Sequence, residues 1–327
     1  MSKVVKIYKT GPSEVMKFED IHIHEPGEGE VKIEHTAIGL NFIDVYYRSG
    51  LYPIDNFPIT LGMEGAGIIK SIGNNVEGFS NGDRVAYPMD MGAYSQERTI
   101  NANKLVKIPD SIDDDTAAAI MLKGLTAQYL LKRTFKVKSG DKILVYAAAG
   151  GVGLILSQWA KFLGATVIGC VGSEEKSEIA KSNGCDHVIL YRNENIAERV
   201  RDITNGLGVD VAYDSVGAAT LASSLDSLRE FGMLVSYGNA SGAIKGVNPS
   251  QLSAKGSLYF TRPTLATHIS NKDLFDNGVR DLFEAVLNGH MKIKIGQIFS
   301  LNDIQQAHED LENRSTIGST ILKPWLC

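Results

Sequence analysis

The segment at residues 142–165 constrains the fold more than any other part of the chain. It begins with an apolar run, KILVYA, passes through a glycine turn, AAGGVG, and continues into an apolar stretch of helical length, LILSQWAKFLGA. A strand that leads through such a turn into a helix is the first unit of a doubly wound α/β domain. Residues 143–160 carry no charge and approach the length of a membrane helix, but the glycines in their middle favour a strand, turn and helix over a membrane span.

The alternation of apolar strands and helices continues beyond the turn. Six strand segments follow one another, most of them separated by helical segments: KILVYA, TVIGCVG, HVILY, VDVAYDSVG, MLVSYGN and SLYF. Apolar strands that alternate with helices predict a parallel sheet covered on both faces. We expect residues 125–263 to form this doubly wound, Rossmann-type domain.

The first third of the chain has a different pattern, with short strands between glycine turns. Segments such as VKIEHTAIGLN, GAGIIKSIG and GDRVAYP predict a compact, partly open β-barrel. Three successive aspartates at residues 113–115 predict the start of a helix rather than a metal site, because adjacent side chains do not converge on one ion. We expect residues 1–124 to form this domain and residues 264–327 to return and complete it.

Composition excludes several classes of protein. The 327 residues carry a net charge of −5 without a run of Lys and Arg, so neither nucleic acid nor an anionic membrane is an expected partner. Three cysteines are too few and too scattered for a disulfide framework or a thiolate metal cluster. Because Lys3, Lys6 and Lys9 interrupt any apolar stretch at the start, we expect no signal peptide and a cytoplasmic protein.

The glycine turn resembles a dinucleotide-binding turn in which Ala148 replaces the first glycine of G-x-G-x-x-G. Alanine costs little there if the backbone keeps a negative φ. Gly150 and Gly151 let the backbone approach a pyrophosphate, and the N-terminus of the following helix offers N–H groups and partial positive charge. The turn residues expected to bind a dinucleotide are Ala149, Gly150, Gly151, Val152 and Gly153.

The end of the second strand bears on which nicotinamide cofactor binds. A site for NAD usually has an Asp or Glu there to bond the ribose 2′-hydroxyl, whereas this strand ends in CVGS. That leaves room for a 2′-phosphate and predicts NADPH, although Glu174 and Glu175 would repel a phosphate unless they only cap the next helix. The residues expected around the 2′-phosphate are Gly172, Ser173, Lys176 and Tyr191.

Several motifs occur together along the chain: GLNFIDVYYRSGLYP at residues 39–53, LGMEGAG, AAAGGVG, YDSVG and TRP. In this combination the chain resembles, over essentially its whole length, the zeta-crystallin-like quinone oxidoreductases, the zinc-free branch of the medium-chain dehydrogenase/reductase superfamily. The resemblance implies a GroES-like catalytic domain interrupted by a Rossmann domain. It also implies NADPH-dependent reduction of quinones and a homodimer.

The resemblance also indicates that no catalytic zinc is bound. Zinc-dependent members of the superfamily bind their metal through a Cys and a His, and the corresponding positions here are Asn41 and Met63. Without thiolate and imidazole ligands we expect no metal site, and hydride transfer must proceed without a Lewis acid. Glu64 remains, and we expect it to be a structural partner.

The resemblance implies the remaining site residues. Around the nicotinamide end it places Asn41, Phe42, Ile43, Asp44 and Tyr46. Along the rest of the cofactor it places Thr126, the glycine turn, Ser215, Val216, Asn239 and Arg262. Asn41 and Tyr46 are also candidate catalytic residues, and Tyr52 is the candidate proton donor, because a phenol at that position can hydrogen-bond a developing oxyanion. The alternative is that Tyr52 only packs over the mouth of the cleft.

Two other functions and one assembly question stay open. The same scaffold suits an NADPH-dependent reductase of activated double bonds, either 2-alkenals or enoyl thioesters, and some relatives are structural or RNA-binding proteins. The last parallel strand is predicted at Ser257, Leu258, Tyr259 and Phe260, which offer neither Pro nor charge to block pairing at a sheet edge. We expect a homodimer through this strand. The alternative is a covering loop, GAIKGVNPSQLSAKG.

Overall fold

A computed structural model describes residues 1–326 and divides the chain into two compact units. The first unit combines Met1–Lys123 with the segment from Ile293 onward, and the second is Gly124–Lys292. The sequence predicts that the chain returns to the first unit at residue 264. In the structure, residues 264–292 belong to the second unit instead.

The strands in chain order are β1 Ser2–Ile7, β2 Lys17–Ile21, β3 Glu30–Leu40, β4 Ile59–Thr60, β5 Glu64–Ile72, β6 Arg84–Pro88, β7 Glu97–Asn101, β8 Val106–Lys107, β9 Lys142–Tyr146, β10 Thr166–Val171, β11 His187–Leu190, β12 Val209–Asp214, β13 Leu228–Ser236, β14 Tyr259–Thr261, β15 Ile295–Ser300 and β16 Ser319–Lys323. The helices are α1 Phe42–Ser49, α2 Asp114–Tyr129, α3 Gly151–Phe162, α4 Glu174–Ser182, α5 Ile196–Ile203, α6 Leu221–Ser227, α7 Pro249–Ala254, α8 Leu265–His268, α9 Lys272–Leu287 and α10 Ile304–Glu312.

The first unit consists of two sheets in which all neighbouring strands are antiparallel except β15 and β16, which are parallel. One has the strand order β2-β1-β4 and the other the order β15-β16-β3-β5-β6-β8, with β7 also paired to β3. Along β3 the residues Val31, Ile33, His35 and Ala37 are buried, and those between them are not, as the alternating sequence predicts. This inward face packs into a core with Ile69, Val85 and others, which confirms the GroES-like barrel.

The second unit contains one parallel sheet of six strands. Its order is β11-β10-β9-β12-β13-β14, and each neighbouring pair is parallel. In order of appearance this is 3-2-1-4-5-6, the order of the Rossmann fold. Leu144 and Ile168 in its inner strands are fully buried in one core with Val200 of α5 and Leu225 of α6. The predicted fold class is therefore confirmed.

Helix α9 explains why the chain returns to the barrel later than predicted. Leu282 of α9 lies against Gly124, because a Cβ placed on Gly124 would be 2.5 Å from Cδ1 of Leu282. A Cβ placed on Gly278 of the same helix would be 3.1 Å from Cδ2 of Leu125. The apolar face of α9 is thus buried against the second half of α2. An amphipathic sequence predicts such a face, but it does not say which element the face covers.

Two further features refine the prediction. The last parallel strand begins at Tyr259, because Ser257 has a φ of 55° and the N–H of Leu258 is bonded to the carbonyl of Leu252. The aspartates before α2 do begin that helix, with Asp113 accepting a bond from the N–H of Thr116. In the described residues 1–326, no helix has both the length and the apolar character needed to cross a membrane.

Candidate cofactor site and active site

The glycine turn lies between β9 and α3, at the carboxyl end of the sheet. A Cβ at Gly153 would be 2.3 Å from the carbonyl oxygen of Ala147 and 2.8 Å from the Cα of Ala148, so only glycine lets helix and strand approach this closely. The left-handed position of the turn is Ala147, with a φ of 50°, while Ala148 donates its N–H to the carbonyl of Cys170. Alanine in the leading place is therefore compatible with the turn.

The N-terminus of α3 has the features of an anion site. Gly150 is the N-cap residue, and no side chain caps the helix there. The N–H groups of the first turn consequently have no intrahelical acceptor and point toward any ligand beyond the helix end. This cradle of small residues fits the pyrophosphate of a dinucleotide.

Gly172 and Tyr191 meet at the end of β10. A Cβ at Gly172 would be 2.7 Å from the hydroxyl of Tyr191, so the phenol lies directly against the glycine. Ser173 caps α4 by accepting a bond from the N–H of Lys176 at 3.3 Å, and the two glutamates occupy the first turn of that helix. The structure thus brings together all four residues predicted around a 2′-phosphate, and no carboxylate ends the strand.

Asp214 organises the turn after β12. It is fully buried, and its Oδ1 accepts bonds from the N–H groups of Val216 and Gly217, at 2.7 and 3.0 Å. Its Oδ2 accepts bonds from the hydroxyls of Thr220 and Ser224. This role of Asp214 was not predicted from the YDSVG motif, although an Asp at the end of an apolar strand is a known signal for such a turn.

The loops after β12 and β13 pack side by side. The carbonyl of Ser215 accepts a bond from the N–H of Ala240, and the carbonyl of Val216 accepts one from the N–H of Ser241. Asn239 directly precedes Ala240 in the chain and is buried. Ser215, Val216 and Asn239 therefore lie near one another at the edge of the sheet that also carries the glycine turn.

The last two predicted cofactor residues lie on other elements of the same unit. Arg262 follows β14 and donates a hydrogen bond to the carbonyl of Ser236 at 3.2 Å. Thr126 is buried within α2.

In the first unit, three polar side chains meet beside the start of α1. Oε1 of Glu64 accepts bonds from Nδ2 of Asn41 at 2.7 Å and from Nζ of Lys123 at 2.8 Å. Its other oxygen accepts a bond from the N–H of Leu122. Glu64 is therefore a structural partner, as predicted, but its main partner Lys123 was missed. The signal for Lys123 was a single charge within the apolar run AAAIMLKGLTA.

Asp44 lies in the first turn of α1 and is completely buried. Its Oδ2 accepts bonds from the N–H of Asn41 and from the hydroxyl of Tyr94, both at 2.9 Å. Its Oδ1 has no hydrogen-bond partner among residues 1–326. Burial raises the pKa of Asp44 to about 7.

An aromatic cluster holds Tyr52 against α1. Its ring centroid is 5.2 Å from that of Tyr46 and 5.5 Å from that of Tyr47. Its N–H is bonded to the carbonyl of Tyr46. Phe42 extends the cluster, with its ring 6.1 Å from that of Tyr46, and Ile43 is half-buried beside it in the chain. The structure therefore brings the predicted residues of α1 and Tyr52 together.

The side chains near Glu64 do not fit a catalytic metal. Asn41 and Met63 are both buried, and the ammonium of Lys123 pairs with the carboxylate of Glu64. Among the described residues, no group of three or more His, Cys, Asp or Glu side chains has a geometry that could hold a metal ion. An amide, a thioether and a paired carboxylate are a poor donor set for Zn²⁺.

Comparison with known proteins agrees with both units. Residues 27–131 match the family model of the alcohol dehydrogenase GroES-like domain, and residues 151–283 match that of the zinc-binding dehydrogenases. A quinone oxidoreductase of Pseudomonas aeruginosa is 47% identical over 325 residues, which cover 99% of this chain and 100% of the relative.

The chain belongs to the quinone oxidoreductase family. The predicted resemblance to quinone oxidoreductases of the medium-chain dehydrogenase/reductase superfamily is thereby confirmed. The crystal structure of Escherichia coli quinone oxidoreductase complexed with NADPH is similar, with a TM-score of 0.96 and 45% identity over 98% of this chain and 100% of that one. A 2-haloacrylate reductase of a Burkholderia species is 45% identical, over 97% of this chain and 98% of the relative.

Proposed function

We propose that the protein is an NADPH:quinone reductase that transfers hydride without a metal. The observation that carries the proposal is the full-length match to quinone oxidoreductases, one of them solved with NADPH. The glycine turn before α3 supports the same cofactor, because the uncapped helix start forms a pyrophosphate cradle. The end of β10 supports it too, because no carboxylate stands there to repel a 2′-phosphate.

In this proposal NADPH supplies the hydride, and the residues of the chain bind and orient both reactants. A quinone accepts hydride readily, because its product is aromatic and its oxyanion is weakly basic. Positioning then accounts for most of the catalysis. The turn residues, Thr126, Ser215, Val216, Asn239 and Arg262 would bind the length of the cofactor, and Lys176 would pair with the 2′-phosphate.

The residues proposed at the nicotinamide end all lie on or next to α1. They are Asn41, Phe42, Ile43, Asp44 and Tyr46. The Glu64–Lys123 pair supports this assignment, because it fixes the amide of Asn41. Tyr52 is the proposed hydrogen-bond donor to the developing oxyanion, since its ring is held by two other tyrosines and a phenol hydroxyl can donate a hydrogen bond.

A second candidate function is the reduction of activated double bonds. The 45% identity to a 2-haloacrylate reductase favours it, because such a substrate also yields an oxyanion after hydride addition and needs no metal. A structural or RNA-binding role has less support, since the net charge of −5 is unfavourable for RNA.

We also propose a cytoplasmic homodimer. Cys170 and Cys185 are both free and buried, and burial raises the pKa of the Cys185 thiol to about 11. Such thiols are consistent with a reducing compartment. The proposed dimer forms through the edge strand β14.

The test follows the oxidation of NADPH by absorbance with quinones, with 2-alkenals, with 2-haloacrylate and without a second substrate. We expect rapid oxidation with quinones and almost none without an acceptor. Gly153→Ala should abolish it, because the added methyl would lie 2.3 Å from a carbonyl oxygen. Gly246→Ala is the matched control, since no atom lies within 4 Å of its Cβ position. Activity with 2-haloacrylate but with no quinone would replace the proposal by the second candidate.

A further inference from the structure

A continuous chain of hydrogen bonds connects Glu312 to Asp44, and it is buried from Arg48 onward. Both carboxylate oxygens of Glu312 accept bonds from NH2 of Arg48 at 2.8 Å, and NH1 of Arg48 is 3.1 Å from Nδ1 of His308. Nε2 of His308 is 3.0 Å from the hydroxyl of Tyr94, which is 2.9 Å from Oδ2 of Asp44. Arg48, Tyr94, His308 and Asp44 are each no more than 2% exposed.

The chemistry of the groups gives this chain a single direction. A guanidinium only donates, so Nδ1 of His308 must accept from Arg48. The ring is neutral, because burial and the charge of Arg48 lower the pKa of His308 to about 3, and its one proton therefore lies on Nε2. Nε2 then donates to the hydroxyl of Tyr94, which leaves the phenolic hydrogen for Asp44. From Arg48 onward, every bond points toward the carboxyl group of Asp44.

A second buried pair in the same unit has the opposite direction. Nδ1 of His35 is 2.8 Å from the carbonyl of Ser95 and must donate to it, so its Nε2 accepts from the hydroxyl of Tyr87 at 2.8 Å. There the tyrosine donates to the histidine, and its oxygen accepts from Arg98. The direction toward Asp44 is thus a property of the Arg48–His308 contact and not of buried Tyr–His pairs in general.

The chain also assigns different roles to the two oxygens of Asp44. Oδ2 already accepts from Tyr94 and from the N–H of Asn41, whereas Oδ1 has no partner among residues 1–326. We propose that Tyr94 and His308 are positioning residues of the proposed reductase, which hold Oδ2 as a permanent acceptor and leave Oδ1 as the oxygen that gains and loses the proton.

Ionisation of Asp44 should also affect quinone reduction, an inference that rests on the proposed function. The ionised carboxylate accepts stronger, charge-assisted bonds and complements the N-terminus of α1. It therefore holds Asn41 and the rest of the first turn more firmly than the neutral acid does. We expect kcat/KM for quinone reduction to rise with pH as Asp44 ionises.

Several other groups act on Asp44 and are part of any pH profile. The carboxylate of Glu64 opposes its ionisation, while the ammonium of Lys123 favours it. The groups that surround it, from its own helix and from the elements packed on it, are Tyr47 and Arg48 of α1, Glu64 of β5, Lys123 of α2, Tyr94 before β7 and His308 of α10.

The decisive measurement is the titration of the Asp44 carboxyl carbon by NMR in protein labelled with ¹³C-aspartate, with Asp44→Asn to identify the signal. Tyr94→Phe removes a donor to the carboxylate, so the titration should move up by about one pH unit. In the same variant kcat/KM at neutral pH should fall about fivefold and recover at higher pH. His308→Leu should move the titration in the same direction, whereas His308→Gln, whose amide keeps a donor toward Tyr94, should leave it near the wild-type value.

Tyr87→Phe is the matched control, because it removes a buried tyrosine hydroxyl that is bonded to a histidine but not to Asp44. It should leave the titration unchanged. If Asp44 titrates alike in wild type and Tyr94→Phe, the positioning role is refuted. If the titration moves but the activity profile does not, the link to the reaction is refuted. If the wild-type protein reduces no quinone, the proposed function fails, yet the NMR titration still decides how Asp44 is held.

Discussion

Lys123 and Glu64 form an ion pair from which water is excluded. Nζ lies 2.8 Å from Oε1, and the two side chains are 6% and 0% exposed. Glu64 accepts two further hydrogen bonds, from Asn41 and from the backbone at Leu122. Such full pairing is what makes a buried charge tolerable, and here it also fixes the residue proposed at the nicotinamide end.

Removal of the lysine should therefore be costly. Lys123→Met leaves a buried carboxylate without its counter-ion, and we expect the free energy of unfolding to fall by about 3–5 kcal/mol. Urea unfolding at a fixed protein concentration measures it. The double variant Lys123→Met/Glu64→Gln should lose much less than the sum of the single changes, because the unpaired charge is gone. Lys181→Met is the control, since Lys181 pairs with Glu178 on the surface. A loss no larger than that of the control would show that the carboxylate does not depend on Lys123.

The cofactor proposal predicts a preference for NADPH over NADH. Lys176→Ala should reduce that preference by about 1–2 kcal/mol, the contribution of one partly exposed charge-assisted bond. The ratio of kcat/KM for the two cofactors measures it. Lys181→Ala, on the exposed side of the same helix, should leave the ratio unchanged. An equal or higher kcat/KM for NADH in the wild-type protein would contradict the assignment of the 2′-phosphate residues.

The parts of the fold that follow from local pattern could be predicted. The period of two in β3 and the strand–turn–helix at Gly153 depend on neighbours in the sequence, and both occur where the pattern indicated. The end of the second unit at Lys292, later than the predicted residue 263, could not be predicted, because it depends on which surface α9 covers. Its Leu282 meets Gly124, a residue far away in the chain.

The candidate site divides in the same way, into residues of contiguous motifs and residues that only the fold brings together. The glycine turn and the first turn of α1 are contiguous motifs, so their positions in the fold could be predicted from the sequence, while their roles in binding stay predictions. Lys123, Tyr94 and His308 act through contacts between distant segments, such as the bond between Tyr94 and His308, which are 214 positions apart. No spacing rule connects such residues, so one sequence without its fold does not reveal them.

Metal independence is the next expected property. The purified protein should contain no stoichiometric zinc by elemental analysis, and a chelator should leave quinone reduction unchanged, because Asn41, Met63 and the paired Glu64 are a poor donor set for Zn²⁺. Activity that is lost on chelation and restored by zinc would mean that other residues bind a metal.

His308 should make the free energy of unfolding depend on pH, and comparison with His308→Gln should isolate its share of that dependence. Burial lowers its pKa in the folded chain from 6.5 to about 3, so between these values the unfolded chain binds a proton that the folded chain does not. The contribution of His308 to the free energy of unfolding therefore falls as the pH falls, by about 1.4 kcal/mol per pH unit. Glutamine does not titrate. The free energy of unfolding of wild type should therefore lose about 1.4 kcal/mol relative to that of His308→Gln for each unit that the pH falls below 6.5. Denaturant unfolding at several pH values measures the gap, and a gap independent of pH would mean that His308 is protonated in the folded chain.

The edge strand β14 predicts how two copies assemble. It lies at the end of the sheet order next to β13, and its first residue, Tyr259, is 57% exposed. Pairing with the same strand of a second copy across a two-fold axis would satisfy the outer N–H and C=O groups. We expect a dimer by light scattering at micromolar concentration, and a monomer there would exclude it. Tyr259→Pro should yield a folded monomer, because proline removes a backbone donor and its ring obstructs a neighbouring strand. Tyr259→Thr is the control, since it removes the aromatic ring but keeps the N–H and a strand-forming residue, and it should remain dimeric. A proline variant that stays dimeric and active would place the interface on another surface.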